Sequence, residues 1–349
     1  MLGALYAALG AFTFALNNAT LRRGVLTGTV MQAMAVTVPV GAVTFLALAI
    51  LAGAIPGLLD FPSTAAAWMA AQGIVHFVVG RFFNYRANQL VGVNLSAPVV
   101  QLQVVVAMVL AVLTMNEPFT VLQTIGAVLM LAGSFATQRR TSKGSAEKAD
   151  RPAVSHEAKP SPAVASGDKL ARSPAFKPRY VAGYVFSSCA AIGYGVSPLM
   201  VRLAFDSAPQ ASVIAGGVIA YAAATAVFSL LLLFPAVRRD IRGLRRENAP
   251  WFFYAAVLVT VSQGFVYASL AVAPLMVVTP ILQLSLVFRV FLSWLINRQY
   301  EVLNASVIIG SAAAIIGSIL VSLNTDYAVS ALALPDAISA VLRFRLAGS

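Results

Sequence analysis

The sequence predicts an all-α membrane protein of ten transmembrane helices, arranged as two inverted five-helix repeats. Three observations carry this reading: an apolar composition, ten apolar stretches of bilayer length, and an internal repeat on either side of a hydrophilic segment. Of 349 residues, 59% are apolar and 10% charged, with a mean hydropathy of +0.84. Soluble domains carry about 25% charged residues, so a bilayer is the natural solvent for this chain.

The stretches lie near 2–21, 30–53, 65–88, 91–115, 120–137, 180–203, 211–236, 250–273, 275–297 and 303–323. Each is close to the ~20 residues that a spanning helix needs. The first has no basic segment ahead of it and ends in Arg22-Arg23, which fits an uncleaved helix better than a signal peptide. Residues 138–179 are rich in Ser, Ala, Lys and Pro and poor in large apolar side chains, so they read as a disordered basic linker. The expected organisation is a first unit over 1–137, this linker, a second unit over 180–323, and a tail over 324–349. Within the tail, ALPDAISAVLRFRLA has the pattern of an interfacial amphipathic helix, although an unstructured tail fits as well.

The repeat is visible without gaps. Gly3–Arg22 overlays Gly183–Arg202 and pairs Phe14 with Tyr194, Asn17 with Ser197 and Arg22 with Arg202. NYRANQLVGVNLSAPVVQLQ overlays VYASLAVAPLMVVTPILQLS and pairs Tyr85 with Tyr267, Pro98 with Pro280 and Gln101 with Gln283. Glu117, Gly126 and Gly133 match Glu301, Gly310 and Gly317. With five helices per unit the two copies enter the membrane in opposite directions, the plan that serves alternating access in many secondary transporters.

Orientation follows from basic residues. With ten spans, nineteen of them share one side: Arg22, Arg23, Arg86, ten in the linker, five in VRRDIRGLRREN, and Arg298. Only Arg202, Arg343 and Arg345 fall on the other side, so the linker is expected in the cytoplasm and both termini outside.

These residues resemble the EamA-domain branch of the drug/metabolite transporter superfamily. The resemblance covers about 3–137 and 180–323, and its most specific element is MNEPFTVLQTIGAVLMLAG at 115–133, an acidic residue followed nine positions later by glycine. EVLNASVIIGSAAAIIG at 301–317 keeps the spacing, but Asn297-Arg298-Gln299 precedes it and predicts a distorted turn there. The resemblance implies transport of a small metabolite across a bacterial inner membrane, without naming the metabolite.

Buried polar groups are the candidates for chemistry. An arginine at mid-membrane depth costs about 2.5–3.5 kcal/mol on insertion scales unless it is paired or faces water. Arg81, Asn84, Tyr85 and Asn88 recur at helical spacing and share one face, which marks a cavity wall. Gln263 and Tyr267 occupy the matching face of the second unit, Gln101 and Gln283 each follow a proline by three residues, and Asn17 interrupts the first helix. Arg81, Asn84, Tyr85, Asn88, Gln101, Gln263, Tyr267, Gln283 and Asn17 together form the expected substrate site, with Arg81 holding a negative group. Polar side chains in membrane bundles also serve simply to bond helices together, and for the glutamines and Asn17 the two roles weigh equally. Arg289, with Ser285 and Ser293 one turn away on either side, fits packing or snorkelling as well as ligand contact. Glu117 ahead of Pro118, and Glu301, suit helix capping better than proton coupling. His76 is a weak candidate for coupling, because α-helical geometry sets it roughly 140° from Arg81.

No carboxylate lies in the middle of any stretch, which disfavours a proton-driven exporter of cations. There is no Walker A pattern, no HExxH or GxSxG and no Cys/His cluster, and Cys189 is the single cysteine. No cofactor, metal or enzymatic activity is therefore expected. All five lysines fall in the linker rather than on a folded face, so the net charge of +12 points to anionic lipid rather than nucleic acid. The expected partners are a small-molecule substrate and the bilayer. Two alternatives stay open: a broad amphiphile or drug exporter, and a non-transporting lipid-binding scaffold.

Overall fold

The computed structural model describes residues 2–115, 119–133, 178–207, 212–272, 281–300, 305–322, 325–331, 333 and 335–347. Glu117, Pro118, Pro280, Glu301 and the linker as far as residue 177 lie outside the described residues.

The described residues are all-α apart from one short antiparallel pairing of β1, Phe119–Thr120, with β2, Arg345–Ala347. The first half holds α1 (Leu2–Thr27), α2 (Val30–Leu51), the short α3 (Ile55–Leu59), α4 (Ser63–Val91), α5 (Val93–Val100), α6 (Gln103–Met115) and α7 (Val121–Gly133). The second holds α8 (Tyr180–Ser207), α9 (Val213–Leu231), α10 (Pro235–Arg242), α11 (Ala249–Val272), α12 (Leu284–Asn297) and α13 (Ala305–Ser322), followed by α14 (Thr325–Ala331) and α15 (Asp336–Arg343).

By length and composition, seven of these helical stretches can cross a membrane: Leu2–Thr27, Val30–Leu51, Ser63–Val91, Val93–Thr114, Tyr180–Phe205, Val213–Leu231 and Ala249–Ser269. The pair Ala305–Val321 and Thr325–Ala331 is bent by 104°, and Val121–Gly133 and Leu284–Asn297 are apolar but shorter. Of the ten expected spans, the described residues thus supply seven helices of spanning length, or eight if the bent pair counts as one.

Two details differ from the sequence reading, and two more follow it. The 91–115 stretch is not one rod, because Pro98 removes a backbone donor and the helix breaks into a turn at Gln101 and Leu102. α4 contains a π-turn over Ile74–Gly80, with hydrogen bonds one residue wider than in an α-helix. Its ends are pinned by close contacts, since a Cβ on Gly73 would lie 2.0 Å from the Ala220 carbonyl oxygen and one on Gly80 would lie 2.8 Å from the Tyr194 ring. The tail does form an amphipathic-type helix, α15, whose Arg343 pairs with Asp326 at 2.9 Å. The turn after Asn297 is a 3₁₀ segment, Arg298–Tyr300, consistent with the expected distortion.

Helices cross between the halves in a reciprocal pattern. α1 packs on α11 and α12, while α8 packs on α4, α5 and α6. α1 runs antiparallel to α11, with Gly10 against Val266 and Gly24 against Phe252, and α8 runs antiparallel to α4, with Gly183 against Val91 and Gly193 against Gly80. α2 and α9 are antiparallel neighbours through Gly41 with Tyr221 and Gly217 with Phe45. α7 and α13 meet likewise through Gly126 with Gly317 and Gly133 with Gly310. At the end that carries the α1–α2 turn, Thr29 caps α2 and also donates to Asp240 Oδ2 at 2.7 Å. Gln32 there donates to the Asp240 carbonyl at 2.8 Å, and Thr27 donates to Asn248 at 2.7 Å.

Small residues let membrane helices approach closely enough for dispersion to replace a hydrophobic driving force that lipid cannot supply. A Cβ on Gly317 would stand 2.5 Å from the Gly126 carbonyl oxygen, whereas one on Gly264 meets nothing within 4 Å. Gly126→Leu and Gly317→Leu are each expected to lower the apparent melting temperature of the purified protein by several degrees. Gly264→Ala is expected to leave it level or slightly raised, because it removes only unfolded-chain freedom.

Candidate functional site

Arg81 is buried where the two halves meet. It opens the α-helical part of α4 immediately after the π-turn, and its guanidinium reaches across to the second half. One terminal nitrogen donates to the Thr37 carbonyl oxygen at 3.3 Å and the other to the Tyr221 hydroxyl at 3.1 Å. The charge lies 4.9 Å from the centre of the Phe77 ring and 5.6 Å from that of Tyr221, and these two rings stack 3.9 Å apart. Phe45 stacks on the other side of Tyr221 at 5.2 Å and meets Tyr267 edge-on at 5.6 Å. Ring faces attract a cation, and more strongly where water is excluded, so this aromatic nest offsets part of the desolvation of Arg81.

Asn84 and Asn88 sit one and two turns beyond Arg81, but their side chains turn to α1. Both amides donate to Asn18 Oδ1, at 3.2 and 3.0 Å, while Asn18 donates to the Phe14 carbonyl at 2.8 Å and Ser96 donates to Asn88 Oδ1 at 2.7 Å. Arg22 donates to the carbonyls of Asn88 and Gln89, where α4 ends at Gly92 with φ +87°. That cation answers the orphan carbonyls and negative pole of a helix C-terminus.

Gln101 and Gln283, separated by half the sequence, are joined directly: the Gln101 amide donates to Gln283 Oε1. Their backbones are nearly superposable, with φ −63° and ψ −19° at Gln101 against φ −67° and ψ −19° at Gln283. Tyr85 is buried within electrostatic reach of Arg81, as are Tyr194 and Tyr221. Gln263 is half-buried one turn from Tyr267, whose hydroxyl has no partner among the described residues. Asn17 is buried with Oδ1 also unpartnered there.

The structure therefore gathers Arg81, Tyr85, Tyr267 and the two glutamines around the meeting of the halves, and assigns Asn84 and Asn88 to a network with Asn18. Sequence reasoning missed Tyr221 and Thr37. Tyr221 had a signal, being the one large polar side chain in the Ala- and Gly-rich run AGGVIAYAAA; Thr37 contributes its backbone carbonyl, which no residue type announces. His76 also stands differently from its α-helical expectation. It bonds Ser197 Oγ at 2.9 Å, which also accepts from Gln72 at 2.9 Å.

Among the described residues, the buried ionisable chains Arg22, Arg81 and Arg289 are all cationic, and no Asp or Glu is buried. No group of three or more His, Cys, Asp or Glu able to hold a metal occurs among the described residues.

Comparison with known proteins finds a similarity in the first part of the chain. The model described as the EamA-like transporter family matches residues 1–138. No curated protein matches the sequence. One solved structure, described only as "Crystal structure of protein", is similar over 90% of this chain and 95% of its own, at 16% identity and a TM-score of 0.45.

Two adjacent asparagines give a direct test of this geometry. Asn18→Ala removes the acceptor shared by two buried amides and is expected to cost about 1–2 kcal/mol in reversible denaturation of the detergent-solubilised protein. Asn17→Ala, which removes an oxygen without a partner, is expected to cost less than half as much. Equal losses would contradict the shared-acceptor arrangement.

Proposed function

We propose that this multi-pass membrane protein, with its EamA-like N-terminal unit, is a secondary transporter that moves a small anionic or zwitterionic metabolite by alternating access between two inverted five-helix repeats. The observation that carries the proposal is buried positive charge between the halves, with no acidic side chain among the described buried residues to neutralise it. An uncompensated cation in a low-dielectric interior destabilises the protein that carries it, and such groups in membrane proteins mark ligand and ion pathways.

In this reading Arg81 supplies the field that draws the acidic group inward. Tyr85, Tyr267, Gln263, Asn17 and the Gln101–Gln283 pair line its path, while Asn84 and Asn88 brace α4 on α1 through Asn18. Reciprocal packing supports a rocking motion: α1 rests on the second half as α8 rests on the first, so each half can turn against the other around the shared centre. Such a protein sits in a bacterial inner membrane, with the basic linker in the cytoplasm as the arginine and lysine distribution favours. The reading is of a transporter and not of an enzyme.

Reconstitution tests it. Proteoliposomes should show saturable counterflow of carboxylates or amino acids, and Arg81→Gln should reduce kcat/KM at least tenfold. Deleting 145–172 should leave the flux within about twofold. Loss of lipid association on that deletion, with no flux in the intact protein, would favour the scaffold alternative. Flux of organic cations alone, unchanged by Arg81→Gln, would favour the amphiphile exporter.

A further inference from the structure

We propose that the transported molecule is a small dicarboxylate, held at the bilayer midplane with one carboxylate on Arg289 of the second half and the other facing Arg81 of the first, on either side of Tyr194. This assignment rests on the transporter reading above and deepens it by naming the ligand class.

Depth brings the two arginines together. Asn18 accepts from Asn84 and Asn88, and Arg22 donates to the carbonyls of Asn88 and Gln89, so α1 and α4 run parallel and in step. One turn before these bonds stand Phe14 on α1 and Arg81 on α4, at a common depth. The Arg289 charge lies over the Phe14 ring, 5.2 Å from its centre, which sets it at that depth too. Tyr194 arrives there from α8, its ring packed on Gly80, the residue before Arg81. α5 links Tyr194 to α12, since Val100 clusters with Tyr194 while Ala97 clusters with Leu286, one turn before Arg289. Tyr194 thus stands within electrostatic reach of both charges.

Two positive charges therefore occupy one level of the interior from opposite halves, and no Asp or Glu among the described residues is buried to answer them. Arg22, the third buried arginine, is committed to the end of α4. The two charges are also seated separately. Arg81 is bonded to Thr37 and Tyr221 and lies against the Phe77 and Tyr221 rings, whereas Arg289 rests on Phe14. Poles fixed on different rings suit a ligand with two separated negative groups better than one compact anion. Arg289 in addition keeps Nε and one terminal nitrogen, both buried, without a partner among the described residues. Donors of a buried guanidinium bond a carboxylate strongly, because charge assists each bond.

The internal repeat fixes where that level lies. Phe14 and Tyr194 are equivalent positions in the two copies, and each meets an arginine of the other copy: Phe14 carries Arg289, and Tyr194 stands beside Arg81. Inverted copies place equivalent residues at mirrored depths, so a pair that shares one depth lies at the midplane, where transporters of this plan hold their substrates. The counterparts of the arginines themselves, Gln263 and Ala107, are uncharged. Like charges in a low dielectric repel, and a dianion between them replaces that repulsion by attraction to both halves.

The test uses the purified full-length protein in detergent micelles and reads calorimetric affinity and ligand-induced melting shifts. The probes are succinate, its monomethyl ester, acetate, glycine, glycerol 3-phosphate and inorganic phosphate. Succinate is expected to bind roughly tenfold or more tightly than the monomethyl ester. Arg81→Gln and Arg289→Gln should each lower succinate affinity roughly tenfold to a hundredfold and bring the two ligands within about threefold of each other. Should a variant fail to fold, malonate, succinate, glutarate and adipate on the unaltered protein decide the matter: two fixed poles give one preferred length, and a single cation gives none. Equal binding of succinate and its monoester, succinate affinity kept within about twofold in Arg289→Gln, or no binding of any probe overturns the two-arginine site. Counterflow of monocarboxylates or amino acids would then still uphold the transporter reading. Tighter binding of glycerol 3-phosphate or phosphate than of any dicarboxylate overturns the ligand class. Succinate binding with the expected losses but without flux in proteoliposomes sinks the transporter reading while the site stands.

Discussion

The bond from Arg81 to the Tyr221 hydroxyl is the contact on which the centre of the molecule depends. It ties α4 to α9 across the two halves, and it does so with a cation that the bilayer would otherwise expel. Everything near it is arranged around that problem. Phe77, Tyr221 and Phe45 form a continuous aromatic stack, the π-turn ahead of Arg81 sets its direction, and Gly73 and Gly80 allow α9 and α8 to close on both ends of that turn. Remove the charge and the stack remains a good core; keep the charge without the stack and the halves have no reason to meet there.

Much of this was legible in the sequence, because a membrane allows few solutions. Backbone groups in hydrocarbon must be satisfied internally, so apolar runs of adequate length become helices, and seven of the expected runs form helices of spanning length among the described residues. Glycines spaced for close approach were readable too: Gly126, Gly133, Gly310 and Gly317 form the contact their spacing implied. What was not legible depends on how helices rotate against one another. Asn84 and Asn88 share a face with Arg81 in any helical projection, yet Asn18 on α1 captures their amides, and no pattern within α4 says so. The π-turn was equally hidden, since one extra residue in a turn leaves the composition unchanged while rotating everything beyond it. His76, inside that turn, bonds Ser197 of α8, a partner that the composition of α4 does not announce.

Repetition without identity is the second lesson. Equivalent positions in the halves keep their backbone roles and change their chemistry: Phe14 answers Tyr194, Asn17 answers Ser197, and Gln263 answers Arg81. A symmetric frame gives two equivalent ways to tilt, and asymmetric side chains give the centre a polarity. The buried positive charges are distributed unevenly between the copies, with Arg22 and Arg81 on one side and Arg289 on the other.

The paired glutamines carry a consequence of a different kind. An amide side chain is both donor and acceptor, so a half-turn of each terminal group exchanges the roles of Gln101 and Gln283 and returns the same bond. The link can thus form with either glutamine as the donor, a two-way degeneracy of chemistry. A Gln-to-Glu or Gln-to-Lys change at either position would break that degeneracy and give the junction a permanent direction. Neutral, self-complementary amides at the axis keep the frame unbiased, and any preference of the protein for one face of the membrane must then come from elsewhere in the chain.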